Sequence, residues 1–140
     1  MVRLMAWCLV LCLAIAGQAA AAPKRVDPVA QAINRIKRSA HVTMPAPQVK
    51  YTLGRAGKGM TLVNGTPFLL QFYFKGPVTK TVALKPGKST DIALVVGRYE
   101  VAVEAKATKR NVVIRPFYGL HDYRTNAHYW VKIFIKKAKK

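Results

Sequence analysis

Cysteine is confined to Cys8 and Cys12 of this 140-residue chain, so everything beyond residue 12 lacks a thiol. If those two are removed with a leader, no disulfide, thiol nucleophile or thiolate metal site can form in the remainder. Acidic residues are scarce as well: Asp27, Asp91, Glu100, Glu104 and Asp122 are all of them. The two glutamates are four apart on a segment that reads as a strand, which separates them by about 13 Å. Glycosidase carboxylate pairs need roughly 5–9.5 Å, so that chemistry fails on spacing, and pairing with cross-strand lysines is expected instead. Serine occurs only as Ser39, at a helix end, and Ser89, in a turn, and neither has a local nucleophile setting. Long apolar runs are missing too. The longest is the thirteen residues from Leu4 to Ala16, short of the ~20 needed to cross a bilayer.

That run belongs to a layout of its own. Arg3 supplies a positive start, the apolar run follows, and small residues Ala19 and Ala21 precede Pro23. This is the pattern of a cleaved secretory signal over residues 1–21, and it implies export to the periplasm or the exterior. Neither cysteine follows the small residue that lipoprotein processing needs. Of 24 Lys and Arg only Arg3 falls in the leader, and all five acids lie beyond it, so cleavage takes the formal charge from +19 to +18. Small soluble domains carry a net charge of magnitude about 2–8. Lysines that guard strand edges, such as Lys80, Lys132 and Lys136, account for a few charges, and an anionic partner accounts for more.

The remainder reads as one domain preceded by a short basic segment. Residues 22–47 comprise a helix opened by Asp27-Pro28, with Val29, Ile33 and Ile36 on one face and Arg35, Lys37 and Arg38 elsewhere, then an extended Pro45/Pro47 linker. Residues 48–136 alternate with a period of two. Phe68, Leu70, Phe72 and Phe74 share one face that can enter a core, as do Tyr99, Val101, Val103 and Ala105, while Gly54–Gly59, Asn64-Gly65, Pro86-Gly87 and Gly97 mark loops and turns. Strands are expected at Gln48–Leu53, Met60–Val63, Phe68–Phe74, residues 79–84, 89–95 and 98–106, Asn111–Ile114 and Tyr129–Lys136. Met60–Val63 is expected to enter a hairpin at Asn64-Gly65. Phe117–Ala127 is expected to be a loop, and residues 137–140 a basic tail. The fold class is therefore all-β, a small antiparallel sandwich of about seven strands with a short N-terminal helix.

Two phosphate-loop lookalikes fail. Gly87-Lys88-Ser89 has Val82 where a Walker A loop needs its first glycine, and the Gly54–Gly59 loop has no Ser or Thr after Lys58. Asn64-Gly65-Thr66 matches a glycosylation acceptor, but Pro67 follows it. The richest candidate surface is residues 115–130, where Arg115, Tyr118, His121, Tyr123, Arg124, His128 and Trp130 interleave stacking rings with cations. In this reading Phe117 and Tyr129 close one end of the core, while Tyr123, Arg124 and Trp130 are exposed. His121, Asp122 and His128 carry imidazole and carboxylate in one stretch, without the tight spacing of a metal site. No metal, cofactor or catalytic residue is assigned. Anion-binding candidates are Arg35, Lys37, Arg38, Arg55, Lys58, Lys137, Lys139 and Lys140.

The series Leu84, Pro86, Gly87, Ser89, Ile92, Leu94, Gly97, Tyr99, Val101, Val103 resembles the small β-sandwich modules of bacterial envelope proteins, the PEGA-like and carboxypeptidase-regulatory-like (transthyretin-like) domains. The match covers about twenty residues and lacks the Pro-Glu-Gly-Ala signature. The resemblance implies a sandwich with an adhesive or scaffolding role and carries over no functional residue. Composition and pattern together lead to the expectation of a non-enzymatic module that engages an anionic envelope component: phosphorylated lipopolysaccharide, acidic glycan or anionic lipid, with nucleic acid bound only non-specifically. The alternative is a protein-interaction module accepting a partner strand at a sheet edge. A metal-binding protein or hydrolase around His121 and His128 ranks third.

Overall fold

A computed structural model describes residues 23–50, 59–106, 113–124 and 127–134. Residues 1–22, 51–58 and 135–140, where a leader, most of a basic loop and a lysine tail are expected, lie outside the described residues, and with them Arg55, Lys58, Lys137, Lys139 and Lys140. The described residues hold one helix, α1 (Pro28–Arg38), and nine strands: β1 (Val42–Thr43), β2 (Gln48–Lys50), β3 (Gly59–Asn64), β4 (Leu69–Lys75), β5 (Thr79–Leu84), β6 (Ser89–Ile92), β7 (Gly97–Lys106), β8 (Phe117–Tyr123) and β9 (His128–Ile133). They form two sheets, in the orders β1-β8-β7-β4-β5 and β2-β9-β3-β6. The all-β sandwich class holds. The pairing is mixed rather than antiparallel throughout, since β1 runs parallel to β8 and β3 parallel to β9.

Alternation places the core on the faces that the sequence pattern marks. Leu70, Phe72 and Phe74 from β4 meet Tyr99, Val101 and Val103 from β7, and across the layers Met60, Leu62, Tyr129, Val131 and Ile133 close the interior. Pro86-Gly87 forms the expected tight turn: Gly87 adopts φ +68°, and the Lys88 amide donates to the Lys85 carbonyl at 3.1 Å.

Four expectations are overturned. Asn64-Gly65 makes no hairpin, because β3 pairs with β6 and β9 and the chain crosses to the other layer before β4. Asn64 is instead buried. Its side-chain amide donates to the carbonyls of Phe68 (2.7 Å) and Leu84 (2.9 Å) and accepts from the Thr66 amide and hydroxyl. Residues 117–123, expected as part of a loop, are β8, paired along β7 from Gly97↔Tyr123 to Val103↔Phe117. Of the strand expected at Asn111–Ile114, the first two residues lie outside the described residues, while Val113 and Ile114 form no strand and Val113 is 94 % exposed. The linker after the helix belongs to the sandwich, since Val42 and Thr43 pair with β8 and Met44 packs into the core.

The helix lies on the outer face of the five-stranded sheet. Asp27 caps it by accepting from the Val29 amide at 2.9 Å, and Pro28 begins it. Val29, Ile33 and Ile36 pack on Ala102, with Tyr73 and Tyr118 alongside. Burial of that stripe, rather than helix propensity over eleven residues, makes so short a helix stable.

Candidate functional site

The aromatic and basic residues of the 115–130 segment do not form one surface. Strand alternation sends His121 and Tyr123 inward, while Tyr118 and Asp122 point outward. Tyr123 was expected to be exposed and is 3 % exposed. It packs between Tyr99 and Tyr129 with ring centroids 5.5 Å and 4.9 Å away, because an inward position near the strand end needs a large ring to seal the layers. Burial raises its phenol far above the ordinary range. His121 Nδ1 lies 2.7 Å from the Tyr123 hydroxyl, and its buried Nε2 has no partner among the described residues. Burial lowers the His121 pKa and favours the neutral ring. Tyr129 is buried and Phe117 partly buried, as expected for residues that close the core. Arg115 and Arg124 are exposed, at opposite ends of β8, whereas Trp130, expected to be exposed, is half-buried.

His128 and Trp130 lie on the outer face of the other sheet. There His128 Nε2 is 2.7 Å from the Thr61 hydroxyl, which donates to Asp91 at 2.5 Å. The network fixes the roles. The only hydroxyl proton points to Asp91, so Nε2–H of His128 donates to Thr61, the reverse of what an activated nucleophile needs. His121 faces the interior from one layer and His128 faces outward from the other, so the two do not converge. No group of three His, Cys, Asp or Glu that could hold a metal ion occurs among the described residues.

On the helix face the cations already hold carboxylates. Arg35 bonds Glu104 at 2.8 Å and Lys37 bonds Glu100 at 3.3 Å. The expected cross-strand lysine partners are mostly replaced by these helix cations. Among the described residues only Lys75, on β4 opposite Glu100, supplies such a charge, and it is secondary to the helix. Tyr73 and Tyr118 donate to Glu104 and Glu100 respectively. Burial alone would raise the Glu100 pKa, but the hydrogen bonds from Tyr118 and Lys37 and the charges of Lys37 and Lys75 outweigh it and hold it below the ordinary range. The Glu100 and Tyr118 contacts raise Lys37 in turn. Arg38 is exposed beside them.

The two ends of the sandwich differ in where acids stand opposite cations. At the end where β7 and β8 meet as Gly97↔Tyr123, Arg98 stands opposite Asp122 and Lys75 opposite Glu100. At the other end, Lys85, Lys88, Lys106, Arg115 and Lys132 are exposed, and the described connections there (residues 65–68, 85–88 and 113–116) contain no acid. Between the two layers at this end runs a groove of about 760 Å³. Phe68, Val113, Ile114, Phe117 and Phe134 supply apolar walls, and Arg115 and Lys132 are its only charged lining among the described residues. Period-two reasoning identifies strands such as β4 and β7 but misses β8 and this groove, because it assigns Val113 and Ile114 to a ladder and Phe68 to the core. The apolar residues Phe68, Ile133 and Phe134 at strand ends were the available signal. No family model, curated protein or solved structure matches the chain.

Proposed function

We propose that the chain is a non-enzymatic binding module of the cell envelope that engages an anionic partner through the groove end of its sandwich. The carrying observation is the charge asymmetry. Carboxylates bond Arg35 and Lys37 on the helix face, and at the opposite end Asp122 stands opposite Arg98 in the β7–β8 register, whereas no acid lies in the described connections beside the five exposed cations at the groove end. Each basic group held near an anionic surface contributes about 1 kcal/mol, and the contribution decays within a Debye length. A rigid two-layer platform that keeps those cations on one end gives adsorption with a defined orientation.

The test is co-sedimentation with phosphatidylglycerol vesicles at roughly 50 and 300 mM salt, a span over which screening of surface charge deepens markedly. The doubly reversed variant Lys85→Glu/Lys88→Glu is expected to lose at least tenfold in binding at low salt. The control Arg98→Glu/Arg124→Glu, at the far end, is expected to keep most of it. Equal losses in both variants, or binding insensitive to salt, would rule out a directed basic end. A second reading rests on β5, whose outer edge has no partner strand among the described residues and is flanked by exposed Val78, Val95 and Val96. Such an edge can accept a strand, and a partner held that way would survive the higher salt.

A further inference from the structure

We infer that the groove takes one acyl chain of an anionic membrane lipid, with the headgroup at Arg115 and Lys132. This rests on the basic-end reading and names its ligand class.

The groove volume of about 760 Å³ falls within the roughly 300–1,000 Å³ typical of small-molecule sites. Its walls are mostly apolar, and they remain wet at a cost: Val113 is 94 %, Phe134 50 % and Val42 41 % exposed. Isolated exposed apolar residues are ordinary, but these three line one trough that reaches the core at Phe117 and Ile133. The charged lining is of one sign. An elongated apolar body with a single negative head satisfies both features, since the chain covers the walls and the head meets two cations.

Other occupants fit less well. Residues 135–140 read Ile-Lys-Lys-Ala-Lys-Lys and residues 107–112 read Ala-Thr-Lys-Arg-Asn-Val, so neither neighbouring segment has the apolar bulk to fill the groove. Both instead add cations on either side of it in the sequence, Lys109 and Arg110 before Val113 and four lysines after Phe134. A second copy docked by a two-fold axis would set Arg115 and Lys132 against their own like charges. A neutral lipid would leave those cations without a counter-charge.

Calorimetric titration of the purified chain with octanoate, decanoate and dodecanoate below their micellar concentrations reads out the inference. Affinity is expected to rise about two- to fourfold for each added methylene, as chain burial requires. Acetate should not bind measurably, and decyl glucoside, of matched chain length but uncharged, should bind at least fivefold more weakly than decanoate. Val113→Ser/Phe134→Ser, both exposed and charge-neutral changes, should lower dodecanoate affinity at least tenfold. The same variant should keep its salt-dependent adsorption to polyphosphate. Affinity independent of chain length, equal affinity for the glucoside, or dodecanoate binding unchanged in the serine variant would each overturn the lipid assignment. Retained polyphosphate adsorption alongside any of those results leaves the basic-end reading standing. Loss of polyphosphate adsorption in Lys85→Glu/Lys88→Glu with chain-length dependence intact supports the groove assignment independently of vesicle adsorption.

Discussion

Arg35 on the helix bonds Glu104 on β7 at 2.8 Å, joining residues sixty-nine apart in sequence. The contact spans the seam between helix and sheet, yet it contributes little to holding the helix there. Both groups are partly exposed, the Arg35 side chain at 64 %, and exposed ion pairs contribute about 0–1 kcal/mol. Ile33, fully buried against the sheet, carries the docking. Ile33→Ala is expected to cost about 2–4 kcal/mol in urea denaturation, whereas Glu104→Gln should cost less than about 1 kcal/mol. Comparable losses from the two changes would mean that charge, not burial, seats the helix.

Much of this arrangement was legible, and the illegible part has a physical cause. Leu70, Phe72 and Phe74 announce β4 because one face is buried against the other layer and the wetter face bears Gln71 and Tyr73. The Asp27-Pro28 cap and the Val29/Ile33/Ile36 stripe announce the helix for similar local reasons. β8 was hidden because its inward positions are Phe117, Gly119, His121 and Tyr123, which do not read as apolar alternation. Gly119 stands there because a Cβ would lie 3.0 Å from that of Met44, a contact between segments remote in sequence. The parallel β3–β9 pairing and the convergence of Phe68, Phe117 and Phe134 on one groove are likewise long-range facts. Local periodicity reports which face a residue takes, not which strand lies beside it.

His121 should give the fold an acid-side weakness. Its pKa is lowered by burial, so the unfolded chain binds a proton that the folded chain resists. A folded pKa below the unfolded value of about 6.5 means that stability is complete above that value and falls as pH drops below it. One proton limits the slope to about 1.4 kcal/mol per pH unit. Tyr123 is the hydrogen-bonding group that faces the ring, and its raised pKa keeps it neutral throughout this range. Urea midpoints measured from about pH 7.5 down to about pH 5, a span that brackets the unfolded value, should fall for the parent chain and fall less for His121→Asn. Parallel curves would place the acid sensitivity elsewhere.

Two glycines with positive φ should respond differently to the same substitution. Gly87 (φ +68°) has nothing within 4 Å of the place a methyl group would take, so only the backbone preference is lost in Gly87→Ala, about 1 kcal/mol. Gly97 adopts φ +148°, and a Cβ there would lie 2.5 Å from Cγ of Pro77 in the β4–β5 turn. Gly97→Ala adds that collision to backbone strain and should cost about 2–4 kcal/mol. Thermal unfolding of the two variants would reverse this order only if the Pro77 turn moved aside freely.

Asn64 supplies the sharpest stability test, because its amide donates twice and accepts twice at 1 % exposure. Its amide nitrogen ties the start of β4 to the end of β5, and β3 leads into it, so one side chain joins both layers at the groove end. Asn64→Ala removes the side-chain donor to the Leu84 carbonyl and the acceptor for the Thr66 amide, while the Phe68 carbonyl keeps the Thr66 hydroxyl as a donor, and each buried group left unsatisfied costs about 1–3 kcal/mol. Asn64→Asp keeps the acceptor for Thr66 but turns a carboxylate toward those two carbonyls. Burial and that repulsion favour the protonated acid, so the introduced pKa rises above the unfolded value of about 3.9. By the sign of that shift the Asp variant is least impaired at low pH and loses further stability as pH climbs through the raised value. At about pH 7 it should be the less stable of the two variants, and near pH 4, close to the unfolded value, the gap between it and Asn64→Ala should narrow or close. A gap independent of pH would show that Asn64 is needed for its shape and not for its two donors.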